Sequence, residues 1–188
     1  MYEPSKIVFT PKSLSVDVIN ITGGTQSRLS IEEDYVEEIF EKMKDGVEYL
    51  PVSAFFDGKE YWLGDGFHRY HATRKNGKAS IKCNVTNGLL RDAILYSKSA
   101  NNDHGMRPTL QDKLNNAKEM IEDFEWGTWS NREIGRICDL SHVTIAKLRV
   151  GKAPERVKLV RNGKVETRAA NPEKQLKTFD VAAPAIPA

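Results

Sequence analysis

Cysteine is nearly missing from this chain, with Cys83 and Cys138 the only two in 188 residues. They fall in different predicted elements and show neither a metal-ligand spacing nor a disulfide framework. Long apolar runs are missing too, so no segment reads as a membrane span. The start, MYEPSKIVFT, lacks the apolar core of a secretory signal. No compact cluster of carboxylates or histidines appears that could hold two metal ions, which leaves a metal-dependent nuclease without its ligands. His68 and His71 are a lone pair, spaced to share one side of a helix. The expected compartment is a reducing cytoplasm.

What is present is enough apolar residue, 39% of the chain, for one compact domain and a small second one. The formal net charge of +2 hides an uneven distribution: residues 1–50 hold 5 basic and 10 acidic side chains, residues 130–168 hold 10 and 4. Nucleic acid would bind at the basic end, provided a motif lies beneath the charge.

The most informative stretch is YWLGDGFHRYHATRKNG, residues 61–77, in which a strand-like run empties into a glycine-framed turn and then a helix. Gly64 and Gly66 allow backbone angles closed to other residues, and the first amides of the helix present partial positive charge to a bound phosphate. His68 and Arg69 would add donors. A second reading stays open, in which the glycines only make a tight connection and Arg69 pairs with a surface carboxylate.

The turn resembles that of the ParB/sulfiredoxin superfamily, which carries Gly-Cys-His-Arg in sulfiredoxins and Gly-Glu-Arg-Arg in partition proteins. Gly66, His68 and Arg69 carry the match, and the surrounding segments follow in the order of that fold over about residues 6–100. The resemblance implies a nucleoside triphosphate, CTP or ATP with Mg2+, bound by Gly64, Asp65, Gly66, Phe67, His68 and Arg69. Gln26 and Arg28 match the Gln-Pro-Arg box of partition proteins with serine in place of proline. Asn102, His104 and Arg107 fall where those proteins keep a second phosphate-holding segment, and a hinge role there is as good a reading.

Short strands are expected over IVF and SLSVDVINI, then a helix over 31–44 capped by Ser30, with Val36, Ile39, Phe40 and Met43 inward. Strands over 51–56 and 60–63 flank Asp57-Gly58, a two-residue hairpin signal. The helix after the turn should end at Asn76-Gly77, followed by a strand over 80–85 and a helix over 89–99. Gly105 and Pro108 mark 101–112 as a connector, and a helix is expected over 114–124. The fold class is α+β: a small ParB/sulfiredoxin-like α/β domain (1–100), an all-α helix-turn-helix domain (113–152), a basic β-hairpin (153–170) and a disordered tail (171–188).

The helix-turn-helix reading rests on WSNREIGRICDLSHVTIAKLRV, residues 129–150. Gly135 is the small residue where the second helix crosses the first; Ile134, Cys138, Leu140, Ile145 and Leu148 seal the pair. Ser130 or Asn131 and Ser141 are available as caps. Asp139 takes the turn position where glycine is usual and tolerates the left-handed conformation. Ser141, His142, Thr144, Lys147 and Arg149 then lie near or on the exposed side, with His142 and Thr144 as base contacts. Arg132, Arg136, Lys147, Arg149 and Lys152 are expected on phosphates. Trp126 and Trp129 could stack on bases, and read better as anchors of the core. Beyond them, VKLVRNGKVETRAA alternates around Asn162-Gly163 and would track DNA backbone or join two subunits.

Together the segments resemble compact ParB-type partition and regulatory proteins of plasmids, phages and other mobile elements. That implies a DNA-binding protein of the nucleoid or of a mobile element, gated by a nucleotide that closes a clamp around DNA. A homodimer and a partition ATPase are the implied partners, and any hydrolysis of CTP or ATP would be slow. Three departures stand out: the turn reads Gly-Phe-His-Arg, no long C-terminal dimerisation domain follows, and no arginine-rich motif precedes residue 6. Sulfiredoxin activity is rejected because Phe67 stands where its cysteine nucleophile is needed. The enzyme alternatives are a nuclease and a free-serine kinase, whose Asp-Gly-x-His-Arg turn is reproduced by Asp65, Gly66, His68 and Arg69, with Asp65 as base or magnesium ligand.

Overall fold

The computed structural model describes residues 3–100, 106–150, 156–161 and 164–169, which form two compact units, 2–116 and 117 onward. The first unit is built on a mixed sheet of five strands, β1 (Thr10–Ser15), β2 (Ile19–Asn20), β3 (Val52–Phe56), β4 (Tyr61–Asp65) and β5 (Ser80–Asn87), in the order β1-β5-β3-β4-β2. β3 pairs parallel with β5 and antiparallel with β4. Four of its five residues are buried, so the central strand is covered on both faces.

Alternation along β3 sorts the helices onto two faces. Val52 and Ala54 join Leu63, Phe67, Tyr70, Ile81 and Val85 in one core, under α2 (Phe67–Lys75). Phe55 points the other way, its ring 5.2 Å from Tyr96 of α3 (Leu90–Ala100) and 6.1 Å from Phe9. α1 (Glu33–Lys44) buries Val36 and Ile39 against Ala72 of α2, with Phe40 and Met43 packed alongside, as its periodicity predicts. Both cysteines are buried, and neither is in a disulfide.

Several local expectations change. Ile7–Phe9 is irregular rather than a strand, following a 3-10 turn at Pro4–Lys6. The β3–β4 loop has four residues, because Phe56 pairs with Tyr61. Asp57 builds that longer loop: its carboxylate accepts from the Lys59 and Glu60 amides at 2.8 Å each and from the Trp62 indole at 2.7 Å. α1 starts at Glu33, and Ser30 does not cap it; the N-cap is Glu32, with no side-chain cap.

α4 (Leu110–Glu122) starts four residues before the predicted helix, inside the expected connector. A reciprocal cap explains its position, since Thr109 Oγ accepts from the Asp112 amide at 3.1 Å and Asp112 accepts from the Thr109 amide at 2.9 Å. The division between the units falls within α4, at residues 116 and 117.

The second unit holds α5 (Asn131–Cys138), α6 (His142–Leu148) and an antiparallel ribbon of β6 (Arg156–Arg161) and β7 (Lys164–Ala169). Asn162-Gly163 between those strands and the predicted tail lie outside the described residues.

Candidate functional site

The turn at the head of α2 opens into a cavity of about 420 Å³. Of the predicted residues, Gln26, Arg28, Asp65, Gly66, Phe67, His68 and Arg69 line it. Gly66 has φ +95°, and a Cβ there would meet Val52 at 2.6 Å, so the left-handed turn into the helix requires glycine. No side chain caps the first turn of α2 and no acidic residue stands in it. Its leading amides therefore present the positive helix end to the cavity.

Gly64 has a different role from the one expected. It sits within β4, where a Cβ would meet the Phe55 ring at 2.9 Å and Tyr96 at 3.1 Å. Its lack of a side chain serves the aromatic packing beneath the turn, and no left-handed angle is involved. Phe67 is 7% exposed and belongs to the core, with part of its surface on the cavity wall.

His68 and Arg69 spend hydrogen bonds on the protein itself. His68 Nε2 accepts from the Glu32 amide at 3.2 Å, satisfying the backbone donor of the α1 N-cap. Burial, then the nearby cations Arg28, His71 and Arg69, push its pKa down to about 4, so the ring is neutral and Nε2 keeps its lone pair. Arg69 donates from Nη1 to the carbonyls of Leu50 (2.7 Å) and Pro51 (2.9 Å) and from Nη2 to Asp65 (2.8 Å). It ties the entrance of β3 to the exit of β4. Asp65 and Arg69 are each 19% exposed, so the carboxylate that pairs with Arg69 belongs to the turn itself.

Arg28 stands on the cavity wall, where its guanidinium hydrogen-bonds the backbone carbonyls of Met106 and Arg107. The Gln26 side chain accepts from the Arg28 amide at 3.1 Å and shapes the loop. Asp112 holds that loop from the far side, accepting from the Leu29 amide at 3.0 Å. Burial alone would raise the Asp112 carboxyl, but hydrogen bonds from Leu29 and Thr109, with Arg28 nearby, outweigh it and hold the pKa below its usual value. Arg107 itself is exposed, while Asn102 and His104 lie outside the described residues.

Sequence reasoning missed much of the cavity wall: Tyr35, Tyr49, Ser53, Asn84 and Tyr96. They come from α1, the loop before β3, β3 itself, β5 and α3, and no local pattern connects them. A register shift between Ser53 and Ala54 sets Ser53 opposite Asp65 at the cavity edge. Among the described residues no group of three or more His, Cys, Asp or Glu side chains converges on a metal site.

In the second unit, α5 and α6 meet as the spacing predicts. A Cβ on Gly135 would stand 2.5 Å from the Leu140 carbonyl oxygen, so only glycine lets the turn cross the first helix there. Asp139 takes φ +51°, and it is the one non-glycine residue with positive φ among those described. Ser130 and Ser141 cap the two helices, accepting from the Glu133 and Thr144 amides at 3.1 and 3.0 Å. Ile134, Cys138 and Ile145 are buried between them, with Leu140 and Leu148 half-buried.

Arg132, Arg136, Ser141, His142 and Lys147 are exposed, and Thr144 is half-buried with its hydroxyl 2.9 Å from that of Ser141. Arg136 pairs with Glu133 at 2.8 Å. Arg149 contradicts the expectation of a phosphate contact. It is 2% exposed and donates to the carbonyls of Gly127 and Trp129, each at 2.7 Å. The chain folds a turn of 3-10 helix at Trp126–Thr128, and Arg149 clamps that turn to the end of α6. Burial lowers its pKa. Lys152 lies outside the described residues, and among those described no helix is long and apolar enough to cross a membrane.

No known protein-family profile matches the chain. It is 32% identical over 85 residues to the transcriptional regulator NovG of Streptomyces niveus, a match covering 45% of this chain and 26% of that protein. The chain thus spans about a quarter of that regulator's length. Among solved structures it is similar to a Pnob8-like ParB-N domain, with TM-score 0.54, 13% identity and coverage of 80% of this chain and 71% of that one. It is also similar to the C-terminally truncated chromosome-partitioning protein ParB of Caulobacter crescentus complexed to the centromeric parS site. There the TM-score is 0.51, the identity 15% and the coverage 73% of this chain and 69% of that one. The fold is the α+β fold of ParB N-domains.

Proposed function

We propose that this chain is a sequence-specific DNA-binding protein whose α5 and α6 act as a helix-turn-helix and whose first unit takes a nucleoside triphosphate. The observation that carries the reading is the α5–α6 junction, in which Gly135, Asp139 and the caps Ser130 and Ser141 leave one face of α6 exposed at His142 and Lys147. Entering the major groove, that face would set His142 and Thr144 against base edges, with Lys147, Arg132 and Arg136 near phosphates. The likeness to parS-bound ParB and to a transcriptional regulator supports partition or transcriptional control, and a mobile element is the setting we propose for it.

The cavity supports the nucleotide half of the proposal. About 420 Å³ suits a nucleoside, the α2 amides and Arg28 suit its phosphates, and Tyr35, Tyr49 and Tyr96 stand on the wall that a base would meet. CTP or ATP would arrive with Mg2+ held mainly by phosphate oxygens, because among the described residues Asp65 is the one carboxylate on the cavity wall and Arg69 engages it. The same engagement weighs against Asp65 as the base of the free-serine kinase reading. Magnesium would screen the triphosphate charge; the protein would orient it.

Selection of duplexes from a random library, followed by fluorescence anisotropy, tests the DNA half. His142→Ala should lose about 1–3 kcal/mol of discrimination at one or two base pairs. Lys147→Ala should weaken all duplexes alike and reduce the salt slope by about 1. Titration calorimetry against CTP, ATP and GTP with Mg2+ tests the cavity, with loss of binding expected for Arg28→Ala. A library that yields no enriched duplex would sink the DNA reading, and no heat with any nucleotide would reduce the first unit to a scaffold.

A further inference from the structure

β6 and β7 form a two-stranded sheet by themselves among the described residues, and a lone ribbon of that kind is marginal in water. Its strands carry Arg156, Lys158, Arg161, Lys164 and Arg168 against a single carboxylate, Glu166. Register pairing sets Arg161 directly opposite Lys164 and places Arg168 on the same face, with Glu166 between Lys164 and Arg168, since cross-strand partners share a face and successive residues alternate. Like charges directly opposite each other destabilise a ladder. That face therefore gathers three cations against one carboxylate, an excess of positive charge that pairing within the ribbon does not neutralise.

Its position gives that charge a use. β6 lies against the Trp126–Thr128 turn. The same turn receives the buried Arg149 guanidinium from the C-terminal end of α6, through the Gly127 and Trp129 carbonyls. Ribbon and reading helix thus share one anchor within the second unit. We propose that the β6–β7 ribbon is a second DNA contact, binding the phosphodiester backbone beside the site read by α6 through Arg161, Lys164 and Arg168. The chemistry favours a polyanion over another strand, because lysine and arginine along both open edges oppose the addition of a strand from a second copy.

This inference rests on the DNA-binding reading above. The test is anisotropy of the full chain on a mixed-sequence duplex over about 50 to 300 mM salt, comparing wild type with Arg161→Gln/Lys164→Gln/Arg168→Gln and with Arg161→Lys/Arg168→Lys. Three lost phosphate contacts should flatten the slope of log K against log salt by about 2 to 3, and the charge-retaining variant should keep it. Sequence preference should stay unchanged. An unchanged slope in the glutamine variant, with Lys147→Ala still weakening binding, would overturn the ribbon contact and leave the α6 reading standing. A glutamine variant whose sedimentation changes while its slope does not would identify the ribbon as a self-association surface. Wild type that binds no duplex at low salt would overturn both.

Discussion

Acidification should destabilise the first unit through one identifiable ring. His68 is 8% exposed, packs edge-on against Tyr35 at 5.2 Å, and accepts from the Glu32 amide. Protonation would turn Nε2 from an acceptor into a donor facing another donor, inside a ring of cations. The folded pKa of about 4 lies below the ordinary 6.5, so between those values the unfolded chain binds the proton and the folded chain does not. Stability from this group is therefore complete above about pH 6.5 and falls as pH drops towards 4, by about 3 kcal/mol in all. Between about pH 7.5 and about pH 5 the share is about 2 kcal/mol. His68→Gln supplies an acceptor near the same place without titrating. Urea unfolding of both proteins at the two pH values isolates the effect, because every other titrating group is common to them. Wild type should lose about 2 kcal/mol more than the variant. Equal losses, or a His68 titration by NMR centred near about 6.5, would refute the argument.

Gly135→Ala should cost about 2–3 kcal/mol in the second unit, because its methyl meets backbone and not a yielding side chain; thermal melting reads this, and duplex binding should fall with it. Arg149→Ala should destabilise the same unit by about 2–4 kcal/mol by orphaning two buried carbonyls, whereas a phosphate-contacting arginine would change the salt slope and leave the melt alone. Asp112→Asn should loosen the Arg28 loop: hydrogen exchange at the Leu29 amide should rise. In wild type the same loosening should appear as pH falls through the depressed Asp112 pKa, since the carboxylate's contribution is present above the unfolded value of about 4 and lost below it.

What could be read from the sequence was local. The α5–α6 pair was legible because its caps, its glycine and its left-handed aspartate all lie within ten residues of the turn they make. Arg149 was not, because helical spacing gives only the direction in which a residue leaves the helix. Its partners, at Gly127 and Trp129, are twenty or more residues back. The start of α4 was present in the sequence as Thr109-x-x-Asp112 and was hidden by the breakers Gly105 and Pro108 before it. Ser30 looked like the cap of α1, but the amide at that N-cap is met by His68, thirty-six residues on. The turn itself was legible, the cavity only in part: the wall residues that were missed come from five elements, α1, the loop before β3, β3, β5 and α3, that no local pattern connects.

Because His68 and Arg69 are engaged with backbone of their own domain, a Gly-x-His-Arg signature marks an architecture before it marks a chemistry. Descendants that lose their small molecule are still under selection to keep both residues, or the entrance of β3 and the start of α1 come loose. A genome search on the turn alone would gather scaffolds and nucleotide binders together. The wall residues that these architectural contacts do not hold, Tyr49 and Asn84, are the ones placed to change with the ligand, and a signature that included them would sort such proteins by what they hold.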